Sequence, residues 1–179
     1  AVTDLESQSE HPVDLIILGK RGQNADFAKA HLGSAVERVV RASSTPCLVS
    51  NRKYRKVERL LIAFDGSESS RKAINWLACY PLFKQMELHL LTVSEGDDKP
   101  KCQDQLDEAK ALFESAGKEP ACYLKEGEVD DVVQHYVKDQ DIDLLVIGSY
   151  GHSRLREFII GSTTSHLLRK CMIPILMFH

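Results

Sequence analysis

No two cysteines in this sequence are spaced as CxxC. Cys47, Cys79, Cys102, Cys122 and Cys171 are odd in number and scattered, which argues against a disulfide framework and against a zinc site. Also missing is any apolar run long enough to span a bilayer, and the opening AVTDLESQSEHP is polar, without the charged-then-apolar order of a secretory signal. The cytoplasm is therefore the expected compartment. Nor is there an excess of positive charge: the formal net charge is −3, with acids and bases interspersed, so a duplex or an anionic membrane surface is a poor match. There is no GxxxxGK[ST] loop and no kinase signature set. What remains is a chain of 179 residues, 43% of them apolar, enough for one α/β domain with a real core and something extra.

From Val57 onward, strand-like and helix-like patterns alternate. ERLLIAFDGS reads as a buried strand ending at Asp65-Gly66, and SSRKAINWLACY as a helix stopped by Pro81. MELHLLTVS is a second strand. Residues 103 to 116 set Leu106, Ala109, Leu112, Phe113 and Ala116 at helical spacing, with Gly117 as C-terminal cap. ACYLKEG is a short strand, and Val129, Val132, Val133, Tyr136 and Val137 mark an inward helix face. DLLVIGS, a glycine loop, a helix from Ser162 to about Cys171 and PILMF complete the series. Five apolar strands alternating with four helices imply a parallel sheet covered on both faces.

The stretch DLLVIGSYGHSRLREFIIGSTTSHLL raises a chemical question. An apolar strand running into a loop with Gly148, Gly151 and Gly161, then a helix opening on Ser162 and Thr163, is built to hold an anion: free N–H groups and the helix dipole favour negative charge there. The plain alternatives are that the glycines serve a tight turn with positive φ and that Ser162 is an ordinary cap. The start of the chain repeats this pattern. Gly19 answers to Gly148, Gly33 to Gly161 and Pro46 to Pro174, a spacing of roughly 130 residues. Only the last third of the first copy is present, so the expected organisation is a partial β-α-β repeat with linker over residues 1–56 and a complete domain over 57–179. The chain would then be the C-terminal piece of a longer two-domain protein, or numbered from partway through one.

These residues resemble the universal stress proteins, in particular a tandem two-domain member. The family's signature is Gly, two residues, Gly, nine residues, Gly, then Ser or Thr, and Gly148, Gly151, Gly161 and Ser162 meet it. AFDGSESS, LLTVS, LKEGEVDD and IPIL agree at further positions, covering the chain from about Val57 to His179. The first copy, Gly19, Gly22, Gly33 and Ser34, has ten residues where the signature has nine, and lacks the Asp-bearing strand, so a complete site there is not expected. The resemblance implies a doubly wound five-stranded parallel sheet of order 3-2-1-4-5, adenine-nucleotide alpha hydrolase-like, with the partial β-α-β copy added. In such a sheet, ligands sit where the winding reverses, between the carboxyl ends of the first and fourth strands, where Asp65 and Gly148 fall.

By that resemblance the ligand is ATP, or AMP or ADP, with Mg²⁺ accompanying the nucleotide. The loop after Gly148 would wrap the phosphates, and Ser162 and Thr163 would open the helix at them. Asp65 would bond the ribose or adenine end or share the Mg²⁺, its alternative being a cap on the following helix or turn. The resemblance gives Val93 backbone contacts with adenine and gives Gly127 the role of leaving room beside base and ribose. Arg154, Arg156 and His152 are lesser candidates. No catalytic residue or protein metal site is assigned: no general base has a claim on the loop, so turnover is expected to be slow ATPase or autophosphorylation at most. The competing reading is a non-nucleotide interaction module of the same family. The short apolar strands TPCLVS and IPILMF are expected to pair antiparallel, residues 46–50 beside 174–178. A second chain, or the missing half of the first domain, would cover the exposed faces of the partial copy.

Overall fold

The computed structural model describes residues 13–20, 34–51, 54–83, 85–96, 98–148 and 162–179. Seven strands form one sheet: β1 (Ile16–Gly19), β2 (Cys47–Ser50), β3 (Arg59–Ala63), β4 (Glu87–Ser94), β5 (Ala121–Glu126), β6 (Leu144–Gly148) and β7 (Ile175–Phe178). Among the described residues five α-helices join them: α1 (Ser34–Ala42), α2 (Glu68–Cys79), α3 (Lys99–Ser115), α4 (Val129–Asp139) and α5 (Ser162–Lys170). The strand order is β1-β2-β7-β6-β3-β4-β5. Within it, β5-β4-β3-β6-β7 is the expected 3-2-1-4-5 order, all parallel. The winding runs outward one way through β3, β4 and β5, and the other way through β6 and β7, so it reverses between β3 and β6.

The ends of the elements follow from local chemistry. Ser67 caps α2, its Oγ accepting from the Ser70 N–H at 3.2 Å, and Pro81 bars the helix from continuing past Tyr80. Helix α3 begins at Lys99, four residues before its apolar spacing becomes visible, because Pro100 is at home in a first turn where its missing N–H costs nothing. Gly117 follows α3 with φ of +73°, a left-handed position that glycine takes without strain.

Two cores flank the sheet. One gathers Val36, Val40, Leu61, Leu91, Val133, Leu145, Leu167 and Ile175 beneath α1, α4 and α5; the other gathers Leu60, Ile62, Ile74, Leu77, Leu106, Phe113 and Val146 beneath α2 and α3. Strands β6 and β7 are apolar on both faces because both faces are covered. The amino ends of the central pair are fixed by Asp143, nearly fully buried, whose Oδ2 accepts from the Glu58 and Arg59 N–H groups at 3.0 Å each while Arg55 pairs with its other oxygen.

The N-terminal β1 and β2 pair parallel, and β2 meets β7 antiparallel with Cys47, Leu48 and Val49 opposite Met177, Leu176 and Ile175, the pairing expected for the two final strands. On the outer strand β1, Ile17 is 64% exposed.

Candidate functional site

Every parallel strand of the 3-2-1-4-5 unit delivers its carboxyl end to the same edge of the sheet. Asp65 stands two residues beyond β3, and Gly148 is the last residue of β6, directly beside it, with Ala63 opposite Ile147 in register. Asp65 Oδ1 accepts from the Ser67 N–H at 3.0 Å, closing a tight turn over Gly66, whose φ is +72°. The carboxylate thus helps start α2, the role foreseen as its alternative, while standing at the lip of the crevice.

Gly148 answers the question of why glycine ends β6. It is not among the positive-φ residues, so left-handed geometry is not the reason. A Cβ at that position would lie 2.5 Å from Ser69 Oγ, 3.0 Å from the Ser70 backbone nitrogen and 3.3 Å from Ser67 Oγ. The first turn of α2 rests on the bare backbone of Gly148. Three hydroxyls, those of Ser67, Ser69 and Ser70, gather at this contact, with Ser67 Oγ 3.1 Å from Ser69 Oγ and 3.2 Å from Ser70 Oγ. The structure therefore brings Asp65 and Gly148 together through α2.

Val93 and Gly127 form a second group, one and two strands further along. Val93 is half-buried near the end of β4, opposite Lys125 of β5, and its carbonyl faces Cys102 Sγ at 3.8 Å. The Gly127 N–H donates to the Ser94 carbonyl at 3.1 Å. Gly127 has φ of +134°, and a Cβ on it would come within 3.1 Å of Val132, so both conformation and space ask for glycine. Gly127 also lines a cleft of about 370 Å³ with Lys125, Asp131, His135, Tyr136 and Gln140, between β5 and α4 rather than between β3 and β6. Ser94 Oγ donates to Asp98 at 2.6 Å, which holds that carboxyl below the usual range.

Gly151, Gly161, His152, Arg154 and Arg156 lie outside the described residues. Ser162 and Thr163 open α5 as its first two helical residues. Helix α2, following β3, presents its amino end at the edge where Asp65 and Gly148 stand. Further along α5, His166 Nδ1 contacts the Asp130 carboxylate in the first turn of α4, and Cys171 is buried, its thiol pushed up to about 11 by desolvation. Among the described residues no group of three His, Cys, Asp or Glu side chains could hold a metal ion, and no helix is long and apolar enough to cross a membrane.

The contacts that sequence reasoning missed are those between distant segments. Arg71 on α2 binds Glu108 on α3 with two parallel bonds, Nε to Oε1 and Nη2 to Oε2, each 2.9 Å, while its Nη1 donates to the Gly66 carbonyl. Nothing local announces a partner 37 residues away.

A parallel sheet whose winding reverses between β3 and β6, with helices on both faces, places the chain in the doubly wound α/β class. Comparison with known proteins narrows the class. The model of the universal stress protein family matches residues 97–179. The chain is 41% identical over 165 residues to Universal stress protein Slr1230 of Synechocystis sp., an alignment covering 92% of this chain and 58% of that protein. In three dimensions it is similar to a universal stress protein from Archaeoglobus fulgidus, with a TM-score of 0.76 and 25% identity over 99% of this chain and 66% of the other. A universal stress protein crystallised in complex with cAMP shares the fold, with a TM-score of 0.56 and 21% identity over 70% of this chain and 98% of that one. The chain belongs to the universal stress protein family. It spans less than two thirds of the length of the Synechocystis relative.

Proposed function

We propose that this chain binds an adenine nucleotide, ATP in the first place and AMP or ADP by the same contacts, and that the occupied state is what partner proteins respond to. The observation that carries the reading is the meeting of Asp65 and Gly148 at the carboxyl ends of adjacent strands β3 and β6, with α5 opening on Ser162 just after the glycine spacing. The cAMP complex of a protein of the same fold supports an adenine ligand for this architecture.

In this reading Gly148, Gly151 and Gly161 let the backbone follow the phosphates, and Ser162 and Thr163 offer N–H groups and hydroxyls at the positive end of α5. Asp65, too negative to face phosphate, bonds the ribose, and Mg²⁺ arrives with the nucleotide. Val93 meets the adenine edge and Gly127 leaves room beside the base. No side chain is given a catalytic role in this reading, and ATP turnover is expected to be slow or absent. We further propose that β1-α1-β2 is the last unit of a second such domain, residues 57–179 being the complete one. The β2–β7 edge would then be the join between tandem halves or protomers, with the protein acting in the cytoplasm.

The test is calorimetric titration of ATP, with and without Mg²⁺, into the wild type, Asp65→Asn and Gly161→Val. Gly148 is unsuitable, since any side chain there meets α2. Near-stoichiometric binding to the wild type that weakens about tenfold or more in each variant is expected. A folded wild type that binds no ATP refutes it, and leaves the module to protein interactions.

A further inference from the structure

We infer that Arg71 and Glu108 act as a positioning pair for the Asp65 carboxylate, holding the Asp65–Ser67 turn in its ligand-receiving shape. This rests on the nucleotide reading above. The turn is held from its own side by Ser67 N–H on Asp65 Oδ1, and from outside by the Arg71 guanidinium on the Gly66 carbonyl. The guanidinium is in turn aimed by Glu108 through two bonds of 2.9 Å, a geometry that fixes its plane as well as its place. Gln105 of the same helix lies against Gly66 so closely that a Cβ there would sit 2.3 Å from its amide nitrogen. Helix α3, which contributes none of the assigned ligand contacts, thereby sets the backbone on which Asp65 stands.

Stability alone does not account for the arrangement. Arg71 and Glu108 side chains are 39% and 47% exposed, so solvent and salt screen what the pair gives to folding even with its two-bond geometry. What this pair adds is restriction of a turn that a left-handed glycine would otherwise leave free. Glu108 holds the Arg71 charge in place, and Arg71 draws the Glu108 carboxyl below its usual range.

The experiment measures ATP and adenosine affinity for wild type, Arg71→Met, Arg71→Lys and Glu108→Gln, alone and combined with Asp65→Asn. It adds amide exchange of Ser67 in the free protein. Arg71→Met is expected to weaken ATP and adenosine alike by about tenfold, Arg71→Lys and Glu108→Gln by less, since lysine can serve one partner but not both. In the Asp65→Asn background the Arg71→Met penalty should nearly vanish, a coupling that general loosening of the fold would not produce. Ser67 N–H should exchange about tenfold faster in Arg71→Met. Loss of ATP but not adenosine affinity would make Arg71 a phosphate contact and overturn the inference. Unchanged affinity and unchanged Ser67 exchange would overturn it too. A wild type that binds neither ligand removes the nucleotide reading itself, an outcome distinct from an indifferent Arg71.

Discussion

At the scale of single residues, two glycines of the expected site serve different physical ends. Gly127 is glycine because of its φ and its neighbour Val132; Gly148 is glycine because α2 leans on it. The second reason makes a sharp prediction. Gly148→Ala forces a methyl group against Ser69 Oγ and the Ser70 backbone, which can yield only by moving the start of α2, at a cost of about 1–3 kcal/mol. Chemical denaturation should show it as a lower midpoint with an unchanged slope. A Gly148→Ala protein as stable as the wild type would mean that α2 does not rest there. The glycine spacing singled out Gly148 and the family resemblance singled out Gly127, and neither gave the reason, because φ and close approach belong to tertiary packing. Asp65 reads in the sequence as the end of a strand, but β3 stops at Ala63 and Asp65 stands in the turn beyond it, its local bond to the Ser67 N–H belonging to the foreseen alternative.

At the scale of elements, periodicity carried most of the information. The strands and helices from Val57 onward and their parallel sheet follow from apolar runs and turn residues, whereas the 3-2-1-4-5 order and the antiparallel meeting of the last strands came with the family resemblance. The first turn of α3 was hidden because Lys99-Pro100-Lys101 has no apolar rhythm, although proline suits that place. Ties between distant elements were equally hidden. Asp143 reads as a polar residue before a strand, yet it joins the starts of β3 and β6 by accepting two backbone N–H bonds while nearly buried. Asp143→Ala leaves those donors and Arg55 without their carboxylate and should cost about 2–4 kcal/mol. Thermal unfolding followed by far-UV dichroism would read this directly, and a change below about 0.5 kcal/mol would show that the tie is dispensable.

At the scale of the whole molecule, one seven-stranded sheet among the described residues carries β1-α1-β2 and β6-α5-β7, which meet antiparallel at β2 and β7, and its winding reverses between β3 and β6. The central claim is that a nucleotide occupies that switch point, between β3 and β6, and not the cleft beside α4. Amide hydrogen exchange with and without saturating ATP and Mg²⁺ tests it most directly. Slowed exchange should appear in residues 65–70, near Ser94 and in the first turn of α5, with residues 135–140 unchanged. Protection confined to the β5–α4 cleft, or no protection anywhere under saturating ATP, would contradict the account.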